Sequence, residues 1–143
     1  MIRNFEEYTH EMTKEEENII LPWLIRILIL RIGKDKAITN AALVYDFNAS
    51  YFNSLWDPNK YIKTEAARIR KLIHILRVSD AIPFLLAGTK GYYISDDKTE
   101  IETYLGSVED RLRAIHKIRR ALKRQLAKDR EAQDGIQTKL IIE

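Results

Sequence analysis

The sequence predicts a mainly α chain with one small β-hairpin and a long C-terminal helix. Three observations carry that expectation. Apolar residues recur at helical spacing over 19–30, again over 69–76, and along a 4,3 repeat from Ile101 to Leu126. One stretch, LLAGTKGYYIS from Leu85 to Ser95, breaks the pattern with strand-like residues around a turn bounded by two glycines. The chain has 143 residues and 45% hydrophobic content, the size of one domain with an ordinary core.

Composition removes several function classes. There is no cysteine, which excludes a disulfide framework, a thiolate zinc site and a cysteine nucleophile. The most apolar run, Ile19 to Ile32, contains Pro22 and Arg26 and falls short of the roughly 20 residues that cross a bilayer. A core helix is expected there, with no membrane partner. The N-terminus lacks a basic start, apolar centre and small-residue cleavage site, so no signal peptide is read and a cytoplasmic setting is expected. His10, His74 and His116 are isolated, and there is no His-x-x-x-His, Gly-x-Ser-x-Gly or phosphate-cradling glycine loop. Neither an enzyme nor a cofactor or metal site is expected, and Glu15, Glu16 and Glu17 read as acidic residues favoured at a helix start.

Each element has its own signal. Thr13 and Glu16 form a capping box ahead of Ile19, Ile20, Trp23, Leu24, Ile27, Leu28 and Leu30, which predicts a first helix over about 14–32 with Gly33 as its stop. Pro22 demands either a kink or a start nearer Leu21, because its ring removes a helical hydrogen bond. Ala37 and Ile38 can hold a very short strand. Thr39 or Asn40 then caps a second helix from Ala41 to about Phe47. The segment YDFNASYFNSLWDPNKYI holds six of the thirteen aromatic residues (Tyr45, Phe47, Tyr51, Phe52, Trp56, Tyr61) among turn formers, and reads as a long packed connection. Its rings either cover the core or form a stacking surface or small pocket.

Thr64 is placed to cap TEAARIRKLIHILR. On a helical wheel Ile69, Leu72, Ile73 and Leu76 point one way and Thr64, Ala67, Lys71 and His74 the other, with Arg68 and Arg70 on the flanks. A helix about 10 Å across fits the major groove, where such cations meet guanine acceptors or phosphates and Ala67 can meet a thymine methyl. The next segments, Pro83–Ala87 and Tyr92–Ser95, read as strands around Gly88-Thr89-Lys90-Gly91, whose glycines permit the positive φ of a tight reversal. Helix, short strand, helix, basic helix and hairpin is the order of a winged helix-turn-helix. In that design Thr89 and Lys90 at the wing tip reach a phosphate or the minor groove. The expected duplex contacts are therefore Lys63, Thr64, Ala67, Arg68, Arg70, Lys71 and His74 on the helix, with Thr89 and Lys90 on the wing.

The run RIRKLIHILR, followed by IPFLLAGTKGYYIS and DDKTEIETYLGSVEDRLRAI, resembles winged-helix proteins of phages and other mobile elements that carry an S/T-K-G-Y-Y-I wing and a long basic C-terminal helix. The resemblance covers roughly residues 15–127. It implies the winged fold and binding of double-stranded DNA, in transcription regulation or replication, with Lys71 in the recognition helix and Lys90 in the wing. The long aromatic connection before Thr64 departs from the usual tight turn.

Charge supports a polyanionic partner. Net charge is only +3, but residues 1–20 hold six acidic side chains, whereas 60–77 hold Lys60, Lys63, Arg68, Arg70, Lys71 and Arg77 against Glu65. Residues 111–130 hold nine Lys/Arg against Asp129. Such segregation fits a nucleic acid, or else solvated helix faces.

From Asp96 or Asp97 a last helix is predicted, with the apolar line Ile101, Leu105, Val108, Leu112, Ile115, Leu122 and Leu126, broken only by Arg119. This heptad seam either packs back on the first helix or pairs with a second copy through Leu112, Ile115, Leu122 and Leu126, which would supply two reading helices. Gly106 weakens this helix locally. The organisation expected is 1–97 as the winged domain with an acidic N-terminal segment, 98–130 as the basic helix and 131–143 as a tail. Gly135 is expected to end the helix, and 138–142 to be a strand or loose chain. The competing reading is a winged protein–protein docking module that does not bind DNA.

Overall fold

The computed structural model describes residues 11–54 and 63–142, with side chains placed over 11–50 and 63–136. Helices predominate, and two contact units divide at Ile101/Glu102. No helix among the described residues is long and apolar enough to cross a membrane.

The first helix, α1, has a π-helical turn over Glu16–Ile20 that passes into regular α-helix over Leu21–Leu28. The capping box forms as expected: the Thr13 amide donates to Glu16 Oε1 at 2.9 Å, and the Glu16 amide to Thr13 Oγ1 at 3.2 Å. Pro22 sits where the π turn gives way to α-helix within one continuous helical run, and the wider π turn before it gives its ring room beside the carbonyl one turn back. The helix stops at Leu28, short of the expected 32. The chain then turns so that Ile32 and Ile38 lie along the hairpin, around a 3₁₀ turn at Lys34–Lys36. Gly33 keeps its punctuating role at φ 99°, but outside the helix.

The second helix, α2, runs Asn40–Ser54, a full turn and more past the expected end at Phe47. Thr39 caps it, its Oγ1 accepting the Ala42 amide at 3.1 Å. Tyr45 and Phe47 are therefore helical and not part of a connection. Phe47 is fully buried and meets Trp23 edge-to-face at 5.2 Å, whereas Tyr45 faces solvent. Trp56 and Tyr61 lie outside the described residues, as do the side chains of Tyr51 and Phe52.

The third helix, α3, spans Ala66–Val78 and buries Ile69, Leu72, Ile73 and Leu76, the four residues that the wheel placed inward. They join Ile20, Leu24 and Leu28 of α1 and Leu43 and Phe47 of α2 in one core. Each such side chain contributes about 1.5–3 kcal/mol by leaving water. The hairpin follows as antiparallel β1 (Leu85–Gly88) and β2 (Gly91–Ile94), paired Leu85 to Ile94 through Gly88 to Gly91, with Thr89 and Lys90 as its two-residue turn.

A hairpin alone is marginal. Here Ile38 pairs with Tyr92 through two backbone bonds of 2.8 and 3.0 Å, and residues 31–33 bond both polar groups of Ile94. Leu85 faces the core with the half-buried Tyr92 and Ile94 beside it, while Leu86 and Tyr93, paired with each other on the opposite face, are buried as well. Of the two hairpin glycines only Gly91 has positive φ, 118°, and a Cβ there would collide with the Ile38 carbonyl.

The last helix, α4, spans Lys98–Ile142, passing through Gly135 without a break. A lone glycine costs a helix only about 1 kcal/mol, and helix-favouring neighbours absorb that, so the expected stop and tail are replaced by helix. Leu112, Ile115, Leu122 and Leu126 are all more than half exposed, as is Ile118 beside them.

Gly91→Ala should destabilise the protein by about 2 kcal/mol or more, since strain and collision combine. Gly135→Ala, with open space around its Cβ, should instead stabilise α4 by up to about 1 kcal/mol. Thermal unfolding followed by circular dichroism checks both, and equal effects would contradict the packing of β2 against Ile38.

Candidate nucleic-acid interface

The outer stripe of α3 divides into two parts. Ala67, Arg70 and His74 face outward, with Lys63 exposed just before the helix. Thr64 does not belong to this accessible set and does not cap α3. Its side chain is buried, and the cap position is taken by Glu65 without a side-chain bond. The reason is Asn48, which reaches across from α2 and grips the Thr64 backbone at both ends, accepting its amide at 2.8 Å and donating to its carbonyl at 3.1 Å. That clamp satisfies buried backbone groups where the chain enters α3.

Arg68 and Lys71 are occupied. Glu16 of α1 has essentially no exposed side-chain surface, and its Oε1 accepts Lys71 Nζ at 2.8 Å while Oε2 lies 3.6 Å from Arg68 Nε. The Lys71 side chain retains 19% exposure and that of Arg68 30%, so both lie flat on the molecule and do not project from it. Arg68 Nη1 also donates to the Lys63 carbonyl at 3.2 Å, which ties it further to the helix start.

Burial by itself would raise the Glu16 pKa. The hydrogen bond from Lys71, the Thr13 amide and the Lys71 charge outweigh it together, so the carboxyl sits below its ordinary value and stays ionised. Residues 11–16 and the outer face of α3 thus form the two walls of one groove, with Glu11 and Glu16 on one wall facing Arg70, Lys71 and His74 on the other.

The hairpin is fastened near the start of the same helix. Asn40 Nδ2, at the head of α2, lies 3.2 Å from the Ala66 carbonyl and 3.2 Å from the Tyr92 hydroxyl. One asparagine side chain therefore spans from the first turn of α3 to β2, two residues from Lys90. Thr89 and Lys90 themselves are exposed at the turn.

Of the nine expected contact residues, Lys63, Ala67, Arg70, His74, Thr89 and Lys90 thus lie at the surface, Arg68 and Lys71 are held by Glu16, and Thr64 is inside. Sequence reasoning missed Glu16, Asn40 and Asn48 as organisers of the site. A signal existed for Glu16: it precedes Ile20 and Leu24 by one and two turns, so a capping carboxylate stood in line with the buried stripe.

Glu16→Gln leaves two cations without their counter-charge and should cost about 1–3 kcal/mol at neutral pH. Because the folded pKa is below the unfolded value, this stabilisation is complete above that value of 4.5 and drains away as pH falls through the folded one. Urea midpoints of wild type and variant should therefore converge below pH 4.5, whereas a gap of constant size from neutral pH to pH 3 would contradict the pairing.

No protein-family model, no curated protein and no solved structure matches this chain.

Proposed function

We propose that residues 11–97 act as a winged helix-turn-helix that binds double-stranded DNA, with α3 entering the major groove and the Thr89-Lys90 turn meeting the flanking backbone. The observation that carries this reading is the Asn40 bridge. It links the cationic helix and the hairpin, so that Lys63 and Arg70 on one and Lys90 on the other can address neighbouring phosphates. The element order supports it as well: helix, a bridging residue at Ile38, two helices and a hairpin. Ala67 is the small residue that allows close approach to bases between these cations. The resemblance to winged proteins of phages and mobile elements agrees with a role in transcription regulation or replication of such an element, in the cytoplasm and without a cofactor. Self-association through the exposed seam of α4 would give two such heads and raise affinity by effective concentration.

A second reading, a winged module that docks a protein, is favoured by one observation. Leu30, Ile32 and Phe84 are exposed at 69, 48 and 59%, and Phe84 holds a strained φ of 62° at the mouth of the hairpin. Salt separates the two readings, because counterion release governs the first and not the second.

If Lys63, Arg70 and Lys90 each neutralise a phosphate in each of two heads, duplex affinity should fall by about 10³-fold between ~50 and ~200 mM salt. Arg70→Glu combined with Lys90→Glu should reduce both the affinity and the salt slope. Fluorescence anisotropy with a labelled random duplex measures both, and binding that is absent or indifferent to salt would overturn the proposal.

A further inference from the structure

The exposed seam of α4 carries an asymmetry of charge that bears on how two copies meet. With Leu105, Leu112, Arg119 and Leu126 as heptad positions a, and Val108, Ile115 and Leu122 as d, the flanking e positions are Glu102, Glu109, His116, Lys123 and Arg130. All five are exposed, acidic toward the N-terminal end and basic toward the other. The opposite flank, position g, carries Tyr104, Arg111, Ile118 and Gln125.

In a parallel pair each g residue meets the e residue of the following heptad on the other helix. Arg111 would then face the partner's His116, Ile118 the partner's Lys123, and Gln125 the partner's Arg130. No acid meets a base. Position a would also face itself, setting Arg119 against the partner's Arg119 inside the seam, two cations at close range in a drying environment.

Reversing one helix changes every contact. Position e now faces e, so Glu102 meets the partner's Arg130 and Glu109 the partner's Lys123, each pair occurring twice, with His116 at the axis. On the other flank Ile118 meets its own copy, and Arg111 the partner's Gln125. Within the seam a faces d: Leu112 opposes the partner's Leu122, Leu126 the partner's Val108, Leu105 the partner's Asp129 near the ends of the pair, and Arg119 the partner's Ile115, over which its stem can lie while the guanidinium reaches water.

We infer that a second copy of this chain is the occupant of the α4 seam, paired antiparallel with its axis beside His116. This rests on the self-association proposed above and is independent of duplex binding. It would set the N-terminal ends of the two α4 helices at opposite ends of the pair.

The absence of cysteine makes the test direct. A spin label on Glu131→Cys, an exposed position away from the seam, should show by pulsed EPR a distance of more than about 40 Å between copies, from 1.5 Å rise per residue on each side of the axis. A label on His116→Cys should give less than about 20 Å. Glu109→Lys should weaken the dimer by about tenfold, and adding Lys123→Glu should restore it, both read by sedimentation. A dimer with a distance at position 131 below about 30 Å, and no rescue, would overturn the antiparallel arrangement alone. A chain monomeric at tens of micromolar would overturn self-association with it, leaving the duplex proposal standing.

Discussion

One carboxylate connects two helices and decides what the surface of α3 can offer. Glu16 closes the capping box at the head of α1 and, with the same Oε1, holds Lys71 of α3 at 2.8 Å. A buried charge is tolerated only when it is paired and hydrogen-bonded. Glu16 meets both conditions through Oε1, which accepts from the Thr13 amide just ahead of its helix and from Lys71 on the other, while the buried Oε2 has the Arg68 charge at 3.6 Å but no hydrogen bond. The consequence is a division of labour among cations one turn apart: Arg68 and Lys71 are spent on the protein itself, while Lys63 and Arg70 are left facing outward.

Two asparagines do for backbone what Glu16 does for charge. Asn48 holds Thr64 where the chain enters α3, and Asn40 reaches toward the first turn of α3 and toward Tyr92. With the Ile38–Tyr92 pairing, these contacts fix the start of α3 relative to α2 and the hairpin. The apolar core positions the helix axes, but it is indifferent to small slides and rotations. The amide contacts are directional, and they specify where Arg70 and Lys90 stand. α4 carries a periodic apolar seam, flanked by Glu102 and Glu109 toward its N-terminal end and by Lys123 and Arg130 toward the other.

Much of this was legible in the sequence where one periodic signal decides the outcome. The inward face of α3 follows from the 3.6-residue repeat, the hairpin from its paired glycines, and the capping box from Thr13 and Glu16 alone. The length of α2 was not legible because Asn48 and Ser50 are turn formers by local chemistry. Asn48 is instead drawn into the helix by a partner sixteen residues away. Thr64 looked like a cap for the same local reason and lost that role to the same contact. Gly135 looked like a stop, yet a single glycine cannot end a helix that its neighbours favour. The pairing of Glu16 with Lys71, 55 residues apart, leaves no local trace, so a stripe that is uniform on a helical wheel turned out to be half neutralised.

The most direct test of this account is the duplex affinity of Glu16→Gln against wild type, at ~100 mM salt and a temperature at which both are folded. If the outer face of α3 meets DNA as proposed, releasing Lys71 and Arg68 onto it should tighten binding several-fold and steepen the salt slope by about one to two phosphates. Binding that is unchanged or weaker in a folded variant would mean that this face of α3 is not the one that meets the duplex.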